Sequence, residues 1–174
     1  MTKKELAHKI YSVSHITGTF KLRSGQISDQ YFDKYLFEAR PDLLAEIADK
    51  MVKLIPGETE VIAGLELGGV PIAAALALKT GLPASYVRKV AKNYGTCKLA
   101  EGAEVKGKKV CIIEDVVTTG GQIILSANDL RKLGAIVTDV VCVILRGANS
   151  IELLAKEGLN LVPLLTMEEL EANK

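Results

Sequence analysis

The segment most informative about the fold is Val110-Cys111-Ile112-Ile113-Glu114-Asp115-Val116-Val117-Thr118-Thr119-Gly120-Gly121. An apolar run without polar alternation is typical of a strand buried on both faces of a parallel sheet, and a helix over residues 121–133 follows. Backbone N–H groups and two hydroxyls at such a helix start favour an anion such as phosphate. The simpler interpretation is that Thr118 or Thr119 only caps the helix and the two acids are solvated, and the local sequence leaves both open.

The strand-then-helix pattern repeats on both sides of this stretch. Short apolar runs predict strands, and helical periodicity with Gly or Pro at the ends predicts helices between them. This alternation indicates an α/β fold with a central parallel sheet flanked by helices. The predicted strands are residues 61–64, 84–87, 110–113, 137–145 and 159–165, and the predicted helices are residues 71–79, residues 121–133 and a segment after Asn149.

The first sixty residues have a different pattern. Thr2 and Glu5 fit a capping box before an amphipathic helix, residues 20–23 and 31–35 are extended, and a helix follows Pro41. We therefore expect one domain over residues 1–174. Its parts are an N-terminal helix and hood (1–40), a parallel α/β core (60–165) and a mobile loop (88–109).

Composition excludes several function classes. Lys and Arg number 22 against 21 Asp and Glu among 174 residues, so the net charge is +1 and neither a nucleic-acid coat nor a polybasic membrane surface is expected. Three cysteines, Cys97, Cys111 and Cys142, fit no disulfide or zinc pattern, and no signal peptide or membrane-spanning run is visible. We expect a cytoplasmic protein. Residues 88–109 nevertheless hold seven cations against two acids, a local patch sufficient for a small polyanion.

Two acids directly before the Thr-Gly turn would repel a phosphate unless another group lies between. A ribose fits, because its 2′ and 3′ hydroxyls donate to carboxylates while its 5′-phosphate sits on the turn. The stretch resembles the 5-phosphoribosyl 1-diphosphate (PRPP) motif of type I phosphoribosyltransferases, and the fold expected is theirs. By that resemblance its PRPP-binding residues are Glu114, Asp115, Val116, Val117, Thr118, Thr119, Gly120, Gly121 and Gln122.

A second segment, residues 88–98, carries four cations and no acid, and Glu101-Gly102 follows. Its length and charge predict a mobile flap that neutralises a polyphosphate, and an exposed basic hairpin is the simpler alternative. The segment resembles the catalytic loop of orotate phosphoribosyltransferases, which implies a homodimer whose loop reaches the neighbouring site. By resemblance the PRPP-binding residues here are Arg88, Lys89, Lys92 and Tyr94, and the catalytic residues are Arg88, Lys89, Lys92 and Asp115.

Residues 20–33, taken alone, indicate a strand, a turn and a second strand. Beside the other segments they resemble the N-terminal signature of the orotate family, which implies that Arg23 contacts a PRPP phosphate. The resemblance implies an orotate-binding set of Tyr31, Phe32, Thr118 and Arg146. The simpler alternatives are that the aromatic rings only pack within a hood strand, and that the arginine after the predicted strand at 137–145 is a surface residue.

The resemblance implies that PRPP and orotate give orotidine 5′-monophosphate and diphosphate, in de novo pyrimidine (UMP) synthesis. Mg²⁺ is expected as cofactor, carried mainly by PRPP, with no certain protein ligand. Rival interpretations are a phosphoribosyltransferase for another base and a PRPP-sensing regulatory protein without catalysis. His8 and His15 match no catalytic position and are given no role.

The sequence departs from the family pattern at three places, and two of them, Tyr94 and the missing lysine, keep the sensor in consideration. Tyr94 replaces a frequent histidine, Leu67-Gly68 replaces the Tyr-Lys pair of well-known bacterial members, and Ser28-Asp29 replaces Ser-Pro. Gly68 and Gly69 would let backbone amides approach a diphosphate, and simple helix–strand packing is the alternative.

Overall fold

The structure is a computed structural model that describes residues 1–22, 24–95 and 98–172. Within these residues the strands are β1 (His15–Lys21), β2 (Ile27–Phe32), β3 (Val61–Leu65), β4 (Ala84–Val87), β5 (Ala100–Gly102), β6 (Lys109–Val117), β7 (Ile136–Leu145) and β8 (Asn160–Thr166). A two-stranded antiparallel hairpin, β1–β2, accompanies a six-stranded sheet of order β5-β4-β3-β6-β7-β8. All neighbouring pairs of the larger sheet are parallel except β4 with β5.

Helices cover both faces of the larger sheet. Alternate residues of β6 show this, because Ile113 packs with the first helices of the chain and Ile112 packs against α5 and α6. Each face excludes water from a continuous apolar layer, which is the main stabilising contribution. The helices are α1 (Lys3–Ser14), α2 (Lys34–Glu38), α3 (Pro41–Met51, continued by a 3₁₀ turn, Val52–Leu54), α4 (Gly69–Thr80), α5 (Gly121–Lys132), α6 (Asn149–Lys156) and α7 (Met167–Glu171).

The predicted α/β architecture, with a central, mostly parallel sheet flanked by helices, is confirmed. The helix start at Thr2 is also confirmed. The Thr2 hydroxyl accepts from the Glu5 N–H at 3.2 Å, and the Thr2 N–H donates to the Glu5 carboxylate at 2.7 Å. This reciprocal cap satisfies donors that the helix itself leaves free.

The sheet is not wholly parallel, and the loop predicted at 88–109 is not all loop. Residues Ala100–Gly102 form the edge strand β5, antiparallel to β4. Gly102 has a φ of 94°, and a Cβ there would lie 2.7 Å from the Ala84 carbonyl oxygen, so only glycine fits this close pairing. A three-residue strand has no detectable periodicity, which explains the difference from the prediction.

The strand predicted to end before the acidic pair continues through it. β6 runs from Lys109 to Val117, and Glu114 pairs with Cys142 of β7 in register. The acids are therefore fixed within the sheet and do not begin a loop. Backbone pairing with β7 makes both positions more rigid than the sequence indicated.

The extended segment predicted at residues 31–35 is wrong in its second half. β2 ends at Phe32, and the Asp33 carboxylate accepts from the Tyr35 N–H at 3.0 Å as the N-cap of α2. This five-residue helix buries Phe37 in the core. As a result Lys34 and Glu38, one turn apart, are brought over the carboxyl end of β6.

The short helix α7 was not predicted. It follows β8 and begins with a capping box between Thr166 and Glu169. No helix in the part of the chain that the structure describes is both long and apolar enough to cross a membrane.

Candidate active site

The turn between β6 and α5 begins the helix without a side-chain cap. Gly120, with a φ of 77°, occupies the N-cap of α5, so neither threonine caps the helix. Thr118 and Thr119 are exposed, and a pocket of about 150 Å³ lies over the turn. The simpler interpretation, a capping threonine, is therefore wrong. The pocket is lined by Glu114 and by Val116, Val117, Thr118, Thr119, Gly120, Gly121, Gln122 and Ile123.

Glu114 and Asp115 lie side by side but in different surroundings. Glu114 lines the pocket over the turn, and its Oε1 accepts from the Asp115 N–H at 3.0 Å. Burial, together with the neighbouring Asp115 carboxyl, raises the pKa of Glu114 well above its usual range. Asp115 is fully buried on the face of the sheet that α2 and α4 cover.

The Asp115 carboxylate is held from several sides. Its Oδ1 accepts from the Val116 N–H at 2.5 Å, and its Oδ2 forms an ion pair with Lys34 of α2. A Cβ at Gly68 would lie 1.5 Å from Oδ2, so no larger side chain fits at position 68 in this arrangement. This contact excludes a lysine side chain at position 68 in this arrangement. The glycine itself was visible in the sequence, but the contact that requires it was not.

Asp115, Lys34 and Glu38 form a set of ionisable side chains that shift one another's pKa. Burial opposes ionisation of Asp115, but the hydrogen bond with Glu114 and the Lys34 ammonium outweigh it and lower its pKa. For Lys34, burial is likewise outweighed by Asp115, and its pKa is raised. Burial and the charge of Asp115 raise the pKa of Glu38 to about 9. At neutral pH the set therefore contains an ionised Asp115, a charged Lys34 and a neutral Glu38.

A second cleft, of about 370 Å³, lies between the β1–β2 hairpin and the end of β7. Tyr31, Phe32 and Arg146 line it, and the Arg146 guanidinium lies over the Phe32 ring at 5.7 Å from its centroid. The backbone N–H of Arg146 donates to the Val117 carbonyl oxygen at 2.8 Å, which places this cleft beside the β6–α5 turn. Three of the four residues predicted for orotate thus share one cleft, and Thr118 lines the adjoining pocket.

His15, to which the sequence analysis assigned no role, lines this second cleft together with Gln30. The His15 Nε2 and Gln30 Oε1 atoms are 2.7 Å apart, and the imidazole stacks on the Tyr11 ring at 4.8 Å. Cross-strand register explains the placement, because His15 pairs with Phe32 and Thr17 with Gln30. Paired residues share a face of the hairpin. Sequence reasoning missed this face because the register was not known.

The cationic loop lies beside the turn after β3. The Lys89 N–H donates to Glu66 Oε1 at 2.6 Å, and the Lys89 side chain is exposed. Lys92 Nζ is 2.5 Å from Glu101 Oε1 and lies 5.8 Å from the centroid of the Tyr94 ring. The sequence did not predict a partner for these cations.

Glu101 also interacts with Arg88, whose Nε is 3.8 Å from the same carboxylate oxygen. The hydrogen bond from Lys92 is the largest cause of a lowered pKa for Glu101. Mobility of residues 88–109 remains a prediction. Arg23, predicted for PRPP, and Cys97 lie outside the described residues.

The glycines after β3 have a packing role. A Cβ at Gly64 would lie 2.5 Å from the Gly69 carbonyl oxygen, and one at Gly69 would lie 2.3 Å from that of Ile113. These contacts allow α4 to approach the sheet closely, as the helix–strand alternative proposed. The peptide bond between Glu66 and Leu67 is cis, and Leu67 is exposed. Across the described ranges, no group of three or more His, Cys, Asp or Glu side chains is arranged to hold a metal ion.

Comparison with known proteins shows the family to which this fold belongs. A family model described as "Phosphoribosyl transferase domain" matches residues 33–162, which run from α2 into β8 and include the β6–α5 turn. The chain therefore belongs to the phosphoribosyl transferase family.

Individual relatives narrow the assignment. An orotate phosphoribosyltransferase of a Nocardioides species is 54% identical over 167 residues, covering 96% of this chain and 93% of that protein. The crystal structure of Mycobacterium tuberculosis orotate phosphoribosyltransferase with inorganic phosphate is similar at a TM-score of 0.86 and 30% identity, covering 97% of this chain and 98% of that one. The same protein in complex with PRPP is similar at a TM-score of 0.83 and 28% identity, with the same coverage. Within its family the chain belongs with the orotate phosphoribosyltransferases.

Proposed function

We propose that this chain transfers the 5-phosphoribosyl group of PRPP to orotate and releases diphosphate, a step of UMP synthesis. One observation carries the proposal. The hydrogen bond from Arg146 to Val117 joins an aromatic and cationic cleft to a phosphate-sized pocket beside two carboxyl groups. A planar, acidic base and a phosphorylated sugar bound there would meet at the reacting carbon.

In this proposal the β6–α5 turn binds the 5′-phosphate. The hydroxyls of the exposed Thr118 and Thr119 and the backbone N–H groups of residues 118–121 would donate to its oxygens, and Gln122 lies in the first turn of the helix. Glu114, which lines the pocket, binds one ribose hydroxyl, and Asp115, which is ionised beside Lys34 and buried in this structure, accepts from the other once its carboxylate becomes accessible. The negative charge of Asp115 also complements the positive charge that develops on the ribose as the bond from C1′ to diphosphate breaks.

The leaving diphosphate requires cations more than it requires a base. Arg88, Lys89 and Lys92 of the loop would supply them, with Tyr94 and Arg23 as further contacts, after Glu101 gives up its ion pairs. No described residue of this chain is assigned to hold Mg²⁺, and a Mg²⁺ ion carried by PRPP would add to the neutralisation of the diphosphate charge. Closure of the loop would exclude water that could otherwise hydrolyse PRPP.

Orotate is proposed to bind in the larger cleft. The guanidinium of Arg146 offers two parallel donors to a carboxylate or carbonyl oxygen, and Phe32 and Tyr31 offer apolar faces to the pyrimidine ring. Thr118, at the junction with the phosphate pocket, is placed to contact the base as well.

The activity is tested with the purified protein, PRPP and Mg²⁺, incubated separately with orotate, uracil, hypoxanthine and adenine. We expect consumption of orotate with stoichiometric release of diphosphate, and no consumption of the other bases. Consumption of another base would assign a different transferase. Binding of PRPP without turnover of any base would assign a sensor.

We also propose a cytoplasmic homodimer in which residues 88–109 act in the neighbouring site. Support comes from the length and charge of the segment and its resemblance to the family's catalytic loop. Mixing a Lys89→Ala variant with an Arg146→Ala variant tests the idea, because a shared site restores part of the activity in mixed dimers. Mixtures as inactive as the separate variants would refute action in the neighbouring site.

A further inference from the structure

The short helix α2 carries two ionisable side chains that meet the same buried carboxylate. Lys34 and Glu38 are four residues apart and so lie on one face of the helix. That face lies against Asp115. Neither side chain has a role in the proposed binding of PRPP or orotate.

The contacts around Asp115 are tight and complementary. Lys34 forms an ion pair with Oδ2, and the Val116 N–H donates to Oδ1. Glu38 is buried, at 8% exposure, and no hydrogen-bond partner for its Oε1 is present among the described residues. A Cβ at Gly68 would lie 1.5 Å from Asp115 Oδ2 and 2.9 Å from Glu38 Oε1, so the two carboxyl groups flank the same glycine.

Two adjacent buried carboxyl groups with one lysine favour a single negative charge. The charged groups that act on Glu38 are Asp115, Lys34 and Asp33, and Glu114 adjoins Asp115. Only Lys34 among these favours ionisation of Glu38, so Glu38 keeps its proton at neutral pH. Apart from the ion pair of Oδ2 with Lys34, Asp115 Oδ2 and Glu38 Oε1 both lack a hydrogen-bond partner among the described residues, and both flank Gly68. A neutral Glu38 carboxyl that donates to the Asp115 carboxylate would satisfy both oxygens with a strong, charge-assisted hydrogen bond.

We propose that Lys34 and Glu38 are positioning residues that hold the Asp115 carboxylate in place for the ribose hydroxyls, Lys34 through its ion pair and Glu38 as a protonated hydrogen-bond donor. The inference rests on the proposed role of Asp115 in binding PRPP. Glycine at position 68 leaves the room that this arrangement requires.

The first test compares steady-state kinetics of Glu38→Leu and Glu38→Gln. Loss of a hydrogen bond to a charged group predicts that Glu38→Leu lowers kcat/KM for PRPP by about ten- to a hundredfold. Glu38→Gln keeps an N–H donor and is expected to restore activity to within about threefold of the original protein. The KM for orotate should not change in either variant.

Lys34→Met should impair kcat/KM for PRPP in the same way. The matched control is Lys79→Met, which removes a lysine from an exposed pair with Asp49 at 2.8 Å, in the last turn of α4. The control should be unaffected. Thermal unfolding of each variant fixes an assay temperature at which all remain folded.

The second test is the pH profile, which a role in packing alone would not change. The original protein should lose kcat/KM for PRPP as the pH rises through about 9, where Glu38 ionises and repels Asp115. Glu38→Gln has no carboxyl proton to lose, so its kcat/KM for PRPP should not fall as the pH rises through about 9.

Three outcomes would overturn the inference: full activity in Glu38→Leu, equal impairment of the Leu and Gln variants, or the same alkaline loss in Glu38→Gln. All are measured against an original protein that converts orotate. An original protein that converts no orotate would instead refute the proposed function.

Discussion

Lys92–Glu101 and Lys34–Asp115 are the same kind of ion pair in two environments. The Lys92 and Glu101 side chains are 17% and 29% exposed, whereas the Lys34 and Asp115 side chains are 33% and 1% exposed. The two pairs therefore differ in the burial of the carboxylate and not in that of the lysine. A fully buried charge left without its partner is costly. The comparison predicts that the Lys92–Glu101 pair exchanges partners more readily than the Lys34–Asp115 pair, and that Asp115 is held in place before a substrate binds.

Removing the buried charge should have the largest effect. Asp115→Asn takes away the carboxylate that complements developing positive charge and leaves Lys34 without its partner, so turnover should fall by about a hundred- to a thousandfold. Steady-state kinetics at saturating PRPP measure this. The matched control, Asp42→Asn in the exposed Arg40–Asp42 pair, should be unaffected. Turnover retained within tenfold in Asp115→Asn would contradict a fixed electrostatic role.

Removing two loop cations should have the next largest effect. The double variant Lys89→Ala and Lys92→Ala should lower turnover by about a hundredfold while leaving orotate binding nearly unchanged, because these charges face the diphosphate. Turnover and orotate titration separate the two. A control lacking two exposed lysines elsewhere, Lys53→Ala and Lys156→Ala, keeps full turnover. Unchanged turnover in the loop variant would remove the loop from the mechanism.

Filling the space beside Asp115 should have a smaller effect that joins stability to activity. A methyl group in Gly68→Ala collides with the carboxylate and should lower the free energy of unfolding by about 1–3 kcal/mol. Denaturant unfolding and kcat/KM for PRPP should decline together. Gly57→Ala, where nothing lies within 4 Å of the added atom, is the control. A stable and fully active Gly68→Ala protein would show that Asp115 need not stay where it lies.

Breaking the partly buried Lys92–Glu101 pair should have the smallest effect. Glu101→Gln releases Lys92 and Arg88, so the KM for PRPP should fall by less than about fivefold with no change in the thermal midpoint. High salt should remove most of the difference between the variant and the original protein. A large rise in KM would mean that Glu101 orients the loop cations and does not compete with the substrate for them.

The sequence predicted those parts of the site that follow each other along the chain. The run through Glu114 and Asp115 into Thr118 and Gly120 combines a strand, two acids and a helix start within a dozen residues. Local rules cover each of these features. The structure confirms the helix start at residue 121 and removes the alternative of a threonine cap.

The rest of the site depends on contacts between distant parts of the chain. Asp33 is a recognisable N-cap, but a five-residue helix such as α2 has too few turns for a periodic signal. The meeting of Lys34 with Asp115 across eighty residues, and of His15 with Gln30 across a hairpin, follows from tertiary packing and strand register. Neither is specified by spacing alone.

The most direct test of the account is conversion of orotate by the purified protein with PRPP and Mg²⁺, followed by loss of orotate and release of diphosphate. We predict that orotate alone among the four bases is consumed and that one diphosphate is released for each orotate. Tight binding of PRPP with no consumption of any base would contradict the account.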